Sequence, residues 1–254
     1  MNYNRNASNF YKLKALILML QFFPDFLHIQ TAREYKFADE KQKDKKLVSN
    51  YIWRGQDLGS ASIQPALSLS YKGISFSAWG SAGLNWSDTR EVDLTLGYSI
   101  AGFSVSVTDY WFDGGPGYFH YRDGNTNHTF EAQVGYDFGF LAVNWYTNFA
   151  GNTGFRTDGS KAYASYFAVS APFAFVGLDW EAAVGATPWQ NDFYAGGANS
   201  EYAADMIHGF AVCNVSIMAS KAFSIAEDWP VSVFGQIVWN PSTEAAHFVA
   251  GIGF

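Results

Sequence analysis

The sequence predicts an all-β fold, an antiparallel up-and-down transmembrane β-barrel of about twelve strands. Apolar and polar residues alternate along many short segments, as in 64–71, where the odd positions are apolar and the even ones small or polar. This period of two indicates a strand, because successive side chains point to opposite faces. Aromatic residues make up 19% of the chain and charged residues only 15%, well below the roughly 25% of a typical soluble domain.

A membrane barrel accounts for this composition, since only alternate residues face lipid and aromatic residues gather at the two interfaces. The alternative is a soluble β-sandwich or lipocalin-like barrel, which also alternates but normally carries many Lys and Glu residues on its water-facing side. Most of the basic residues precede residue 47, so the rest of the chain is acidic. That balance disfavours nucleic-acid binding, which needs a cationic surface. The single cysteine, Cys213, excludes an internal disulfide.

The chain divides into three predicted regions. Residues 1–32 have the character of a secretory signal, because Arg5, Lys12 and Lys14 precede a short apolar run at 15–23. That run is too short to span a bilayer as a helix. An amphipathic helix retained in the mature protein is the alternative. Residues 33–46 are polar and mixed in charge, which predicts a solvated linker, and residues 47–254 form the predicted barrel.

Alternating segments recur through the third region at the spacing expected of hairpins. Their number is even, as expected when both ends of an antiparallel barrel lie on the same side. The predicted strands are 47–57, 62–72, 73–84, 90–101, 102–113, 127–138, 139–150, 161–173, 174–188, 207–222, 229–240 and 246–254.

The predicted connections alternate between short and long. The long ones include those near 113–128 and 187–206. Short turns at one end and long loops at the other are typical of outer-membrane barrels, whereas a sandwich has no reason to keep this parity. The predicted tight turns are Lys72-Gly73, Ile100-Ala101-Gly102, Phe138-Gly139-Phe140 and Pro172-Phe173-Ala174.

The register also predicts which side chains face lipid. Asp109 is an exception, because it lies in an outward position near the external end of its strand, so either an interface position lowers its cost or a bulge reverses the register. The last strand ends on Phe254, an outward aromatic C-terminus similar to the signal that outer-membrane barrel assembly machinery reads. Predicted lipid-facing residues are Val92, Leu94, Leu96, Tyr98, Phe130, Ala132, Val134, Tyr136, Leu178, Trp180, Ala182, Val184, Val231, Val233, Ile237, Trp239, Phe248, Ala250 and Ile252.

A resemblance to a known family begins where the barrel is predicted to begin. The runs 48–56 (VSNYIWRGQ), 64–67 (QPAL) and 79–81 (WGS) resemble the opening of the TorF family of outer-membrane porins. That family continues with polar and acidic residues, whereas this chain has Ala82-Gly83-Leu84. The resemblance covers about a seventh of the chain and implies an outer-membrane barrel, without naming a solute.

The inward faces of the predicted strands define a polar and mostly acidic interior. Such a wall predicts passive diffusion of small hydrophilic solutes, with cations favoured. Arg54 has two readings: it lines an open path, or it neutralises carboxylates in a closed polar plug, because an interior charge is costly unless paired. Gly55 is expected to allow close packing or a kink beside it. The predicted pore-lining residues are Asn50, Arg54, Gln56, Gln64, Glu91, Asp93, Glu131, Gln133, Asp137, Asp179, Glu181 and Gln236.

Other kinds of site receive less support from the sequence. A closed barrel acting in adhesion or surface structure remains an alternative, as does a lipid-modifying enzyme, although no histidine lies in a recognisable catalytic context and the register points His247 inward. The segment 123–128 begins like a calcium loop but lacks the required Gly and Glu. The run 114–117 lacks the Lys of a phosphate loop.

The expectation is therefore a non-enzymatic channel, with no cofactor and no metal. Its expected partners are outer-membrane lipid, small hydrophilic solutes and, through Phe254, the barrel assembly machinery. Aromatic residues in the long loops would either stack on sugars or fold the loops inward, and inward folding is favoured. These residues are Tyr118, Phe119, Tyr121, Phe193 and Tyr194.

Overall fold

The computed structural model describes residues 40–85, 88–122, 125–196, 206–226 and 229–254. The predicted leader (1–32) and the first part of the predicted linker lie outside these ranges, as does the start of the calcium-like segment. None of the described residues belongs to a helix long and apolar enough to cross a membrane.

Twelve antiparallel strands form a closed barrel, which confirms the predicted fold class. Two further short strands, β2 and β3, pair only with each other and form a separate hairpin. The described residues form fourteen strands: β1 (Glu40–Val48), β2 (Tyr51–Trp53), β3 (Gln56–Gly59), β4 (Ser62–Tyr71), β5 (Ile74–Gly83), β6 (Glu91–Ile100), β7 (Phe103–Phe112), β8 (His128–Asp137), β9 (Ala142–Gly151), β10 (Ser165–Phe175), β11 (Leu178–Thr187), β12 (Ala211–Ala226), β13 (Trp229–Asn240) and β14 (Ala245–Gly253).

The first wall strand differs from the prediction. It runs over Glu40–Val48, so the last part of the predicted linker belongs to the barrel, and the predicted strand 47–57 is wrong. The register explains the shift, because β4 pairs with β1 from Ser62↔Val48 to Ser70↔Glu40. The run of charged residues before Leu47 hid this strand, since it shows no alternation of apolar and polar positions.

Closure of the barrel depends on a short contact between β1 and β14. Only three residue pairs join the two strands, from Lys46↔Gly253 to Val48↔Gly251. Reciprocal backbone hydrogen bonds of 3.1 and 2.9 Å between Lys45 and Phe254 extend this contact. The C-terminal residue therefore takes part in closing the wall.

The tight turns lie at one end of the barrel, as predicted, but one is misplaced. Lys72-Gly73 and Ala101-Gly102 have φ values of 49°, 84°, 51° and 85°, the left-handed pair that two-residue hairpins need. The turn predicted at 172–174 is instead at Val176-Gly177, and β10 continues through Pro172. Proline is tolerated there because the pairing of β10 with β9 has already ended at Ser170.

The outer face of the barrel is broadly apolar. Leu96 is 60% exposed, Ile237 55% and Phe248 64%, and each belongs to an outward row of the register. A soluble protein would not leave so continuous an apolar surface in water. Val231 was predicted to face lipid, but it is only 2% exposed.

We predict that Leu96→Lys lowers the free energy of unfolding in phospholipid vesicles by about 2–4 kcal/mol, because a charge at this mid-strand position would sit in hydrocarbon. The matched control is Thr95→Lys, one residue away on the inward face, whose expected loss is about 1 kcal/mol for the Thr95–Thr108 hydrogen bond. Denaturant unfolding of both variants measures the difference. Equal losses would mean that the outer face does not meet lipid.

Candidate functional site

The hairpin of β2 and β3 folds into the barrel interior at the end that carries the long loops. Its two-residue turn is Arg54-Gly55, with φ values of 51° and 79°. The Gly55 carbonyl accepts a hydrogen bond of 3.0 Å from the Asn240 side chain of β13. A Cβ on Gly55 would lie 1.8 Å from the Cys213 carbonyl oxygen, so only glycine fits this contact. The hairpin is therefore held against the wall formed by β12 and β13.

Arg54 at the tip of the hairpin reaches across to the wall and pairs with Glu131 of β8. Its two terminal nitrogens donate to the two carboxylate oxygens at 2.6 and 2.8 Å, a bidentate ion pair. The Tyr194 hydroxyl accepts from the same guanidinium at 2.7 Å, and Tyr110 donates to Glu131 at 2.9 Å. The Arg54 side chain is 10% exposed and that of Glu131 2%, so both charges are removed from water and compensate each other.

Aromatic rings surround the Arg54 guanidinium. Its central carbon lies 4.3 Å from the Trp53 ring centroid, 4.0 Å from that of Tyr146 and 4.7 Å from that of Tyr166. These distances are typical of cation–π contacts, which stabilise a desolvated cation. Arg54 thus sits in a closed, charge-compensated cage, which favours the plug reading of this residue.

The loop between β11 and β12 closes the cage from the outside. Tyr194 is fully buried and its ring stacks on Trp53 with centroids 6.1 Å apart. Burial raises the pKa of the Tyr194 phenol well above its usual value, so the hydroxyl keeps its proton. The Asn191 side chain accepts a 2.9 Å hydrogen bond from the Tyr194 backbone. Phe193 and Tyr194 therefore fold inward, as predicted for loop aromatics, whereas Phe119 is 90% exposed.

The interior is filled at the loop end and open at the turn end. The inward residues Asn148 and Thr187 are fully buried at the loop end. Near the tight turns, the inward residues Ser70 and Ser75 are exposed. Any route through the barrel is therefore narrowest at the level of the hairpin.

A second acidic group lies on β6. Glu91 is 4% exposed, and one carboxylate oxygen of Glu91 and one of Asp93 lack a hydrogen-bond partner among the described residues. Tyr51 of the hairpin and Asp93 both interact with the Glu91 carboxyl group. The structure thus brings the predicted pair Glu91 and Asp93 beside the hairpin.

The remaining predicted pore-lining residues are spread around the barrel. Gln133 donates to Ser104 and Asn144 at 3.1 and 2.8 Å. Asp137 accepts from the Gly139 backbone at the tight turn after β8. Asp179 is exposed and Glu181 half-buried on β11, nearly across the barrel from β6. Gln56 and Gln64 are buried, while Asn50 and Gln236 are half-buried.

An unforeseen pair lies on the outer wall. His128, the first residue of β8, is fully buried and its Nδ1 lies 2.6 Å from Asp109, which accounts for the outward carboxylate on β7. Its Nε2 lies 2.6 Å from the Tyr118 carbonyl oxygen, and its ring stacks on Tyr121 at 4.1 Å. The sequence placed His128 and Asp109 on predicted strands but could not show their contact, because it depends on the register between β7 and β8.

Comparison with known proteins adds little at the level of function. No protein-family model matches the chain. No curated protein matches it either. Among solved structures, a KdgM porin is similar with a TM-score of 0.42 and 8% sequence identity, over 85% of this chain and 98% of that one. Membership of the TorF family stays a prediction.

We predict that Gly55→Ala lowers the free energy of unfolding by at least about 2 kcal/mol more than Gly159→Ala. Both glycines have similar φ values, 79° and 78°, so alanine meets the same backbone strain of roughly 1–2 kcal/mol at each. Only at position 55 does the new Cβ meet backbone, since nothing lies within 4 Å of it at position 159. Thermal or denaturant unfolding in detergent compares the two, and equal losses would contradict the docked position of the hairpin.

Proposed function

We propose that this chain is an outer-membrane channel protein of narrow bore, through which small hydrophilic solutes diffuse passively with cations favoured. The observation that carries the proposal is a closed twelve-stranded wall with apolar side chains outside and polar side chains inside. Such a wall is the arrangement by which β-strands satisfy all their backbone groups in lipid while enclosing a polar interior.

The charges of the interior support cation preference. Arg54 is paired with Glu131, and Lys46 lies 3.7 Å from Asp44. Inward carboxyl groups without a salt bridge among the described residues then remain on three strands. An excess of carboxylates in a low-dielectric cleft raises the local concentration of cations and lowers that of anions. These groups belong to Glu91, Asp93, Asp137, Asp179 and Glu181, of which Glu91 and Asp93 hydrogen-bond each other and so share a proton.

The hairpin limits the width of the proposed channel, and it also supports an alternative function. Because the Arg54 cage fills the loop end of the interior, a solute passes only where the hairpin leaves space or moves aside. The alternative is a barrel whose lumen stays closed and whose loops act in adhesion or surface structure. The same caged Arg54 that limits the bore is the observation that favours this second function.

A lipid-hydrolase function receives no support from the outer-wall histidine. In a Ser–His–Asp arrangement the imidazole nitrogen opposite the acid faces the nucleophile. In His128 that nitrogen faces the Tyr118 backbone carbonyl instead.

Insertion by the barrel assembly machinery through Phe254 remains part of the proposal.

Planar-bilayer conductance tests the channel. The segment 49–61 can be replaced by a four-residue turn, since Val48 and Ser62 are register partners at its two ends. We predict small, cation-favouring steps for the unaltered chain and a conductance at least threefold larger for the shortened one, because the hairpin and its Arg54 are gone.

The matched control replaces residues 156–160, an exposed loop segment away from the hairpin, with two glycines. We expect its conductance to equal that of the unaltered chain. Steps seen only in the hairpin-shortened variant would favour the closed barrel. A folded, heat-modifiable sample of the shortened variant with no steps at all would remove the channel.

A further inference from the structure

The hairpin of β2 and β3 contacts the wall at a second place besides Arg54, at the carboxyl groups of Glu91 and Asp93 on β6. These two residues are two positions apart on one strand, so both side chains point inward. Tyr51 of the hairpin donates a hydrogen bond to the Glu91 carboxyl group. Its ring lies 5.5 Å from that of Trp79, the register partner of Asp93 on β5. The hairpin therefore covers the pair from the inside of the barrel.

The two carboxyl groups share a proton. Glu91 and Asp93 hydrogen-bond each other, which two ionised carboxylates could not do, because each would only accept. Glu91 is 4% exposed, and the enclosed atoms Glu91 Oε2 and Asp93 Oδ1 receive no hydrogen bond from a nitrogen or hydroxyl group among the described residues. The proton is therefore what allows these two acids to lie together away from water.

The charged groups around the pair would oppose a second negative charge. Those that act most strongly on Asp93 are Glu91, Asp109 and Glu131, all of them acidic. Arg54, the cation of the cage, gives its two terminal nitrogens to Glu131. Loss of the shared proton would therefore place two like charges side by side in a site that is already acidic, which is costly.

The remaining groups that face the pair are neutral. Phenol groups keep their proton up to about pH 10, so they supply no charge at ordinary pH. The neutral neighbours are Tyr51 from the hairpin, Tyr110 from β7, and Ser81 and Trp79 from β5.

We propose that Glu91 and Asp93 form a pH switch for the hairpin, which docks while the pair holds its shared proton and leaves when that proton passes to water. In the undocked state water reaches both carboxyl groups, and carboxyl groups in water ionise near about pH 4. Above that pH the docked state therefore binds one proton more than the undocked state. A state that binds more protons loses stability as pH rises, so docking weakens with rising pH.

The inference rests on the proposed function, because the hairpin is the segment that limits the proposed bore. It deepens that function by making the bore wider at higher pH. The cage of Arg54 would not produce this response, since a guanidinium keeps its charge across the whole range.

The test measures hydrogen exchange of the hairpin backbone amides by mass spectrometry, in detergent, between about pH 5 and about pH 9. Each rate is divided by that of a free peptide with the sequence of residues 49–61, which removes the intrinsic effect of pH on exchange. An isolated two-stranded hairpin has little stability in water, so its amides exchange once it leaves the wall. The Asp57 amide, which donates to the Gly196 carbonyl at 3.0 Å, loses its partner at the same time.

We expect the corrected exchange rate of the hairpin to rise at least about tenfold across this range. The rate of residues 103–107, at the turn end of β7, should change less than about twofold, because the wall does not depend on the pair. Asp93→Asn supplies Glu91 with a permanent donor, so the hairpin should stay docked and its rate should rise less than about threefold.

Two further variants keep the test decisive. Glu91→Gln makes the same change from the other side of the pair and serves if Asp93→Asn does not fold. Asp158→Asn removes an exposed carboxylate from the loop between β9 and β10 and should keep the full rise. A corrected hairpin rate that does not change with pH would overturn the inference, as would a full rise in both Asp93→Asn and Glu91→Gln.

Conductance is a separate readout, so the two proposals fail separately. Release of the hairpin at high pH without current at either pH keeps the switch and removes the channel. A chain whose current and hairpin exchange are both independent of pH keeps the channel and loses the switch.

Discussion

The bidentate pair between Arg54 and Glu131 is the interaction on which the interior depends. A guanidinium removed from water is costly unless an anion and further acceptors compensate it. Glu131 supplies the anion, Tyr194 a third acceptor, and three aromatic faces the remaining contacts. The hairpin must therefore dock where Arg54 reaches β8, and the loop between β11 and β12 must fold inward to bring Tyr194.

The wall and the hairpin meet two different demands. Closure of twelve strands pairs most of the wall with neighbouring strands, as a backbone in lipid requires, and leaves only the seam between β1 and β14 short. The wall alone would leave a polar bore, and the hairpin fills its loop end while the turn end stays open. The pairing of β1 with β14 is short, and hydrogen bonds between Lys45 and Phe254 extend it. In the proposed channel, the width of the bore therefore depends on the inserted hairpin as well as on the number of strands.

Much of the wall could be predicted from the sequence, because alternation and two-residue turns are local signals. The turns at Lys72-Gly73 and Ala101-Gly102 needed only a glycine between alternating segments. The first strand could not be placed in this way, because charged residues before Leu47 obscure its alternation. The turn after β10 was predicted too early in the chain because it was placed at Pro172. That proline is tolerated inside β10 because the pairing of β10 with β9 has already ended at Ser170.

The candidate site was predicted only in part. Arg54 and Glu131 were both identified as inward-facing, but their contact spans 77 residues and no local pattern encodes it. Arg54 was placed on a wall strand, whereas it lies at a hairpin turn, and the Gly55 beside it was the available clue. Tyr194 and the His128–Asp109 pair depend on loop paths, which follow from packing rather than from periodicity.

A double-mutant cycle tests the central claim most directly. It compares the free energies of unfolding, in detergent, of the unaltered chain, Arg54→Met, Glu131→Gln and the double variant. A buried, bidentate pair predicts a coupling free energy of about 3 kcal/mol between the two positions. A coupling near zero would show that the guanidinium and the carboxylate do not meet inside the barrel, and the plugged interior would have to be abandoned.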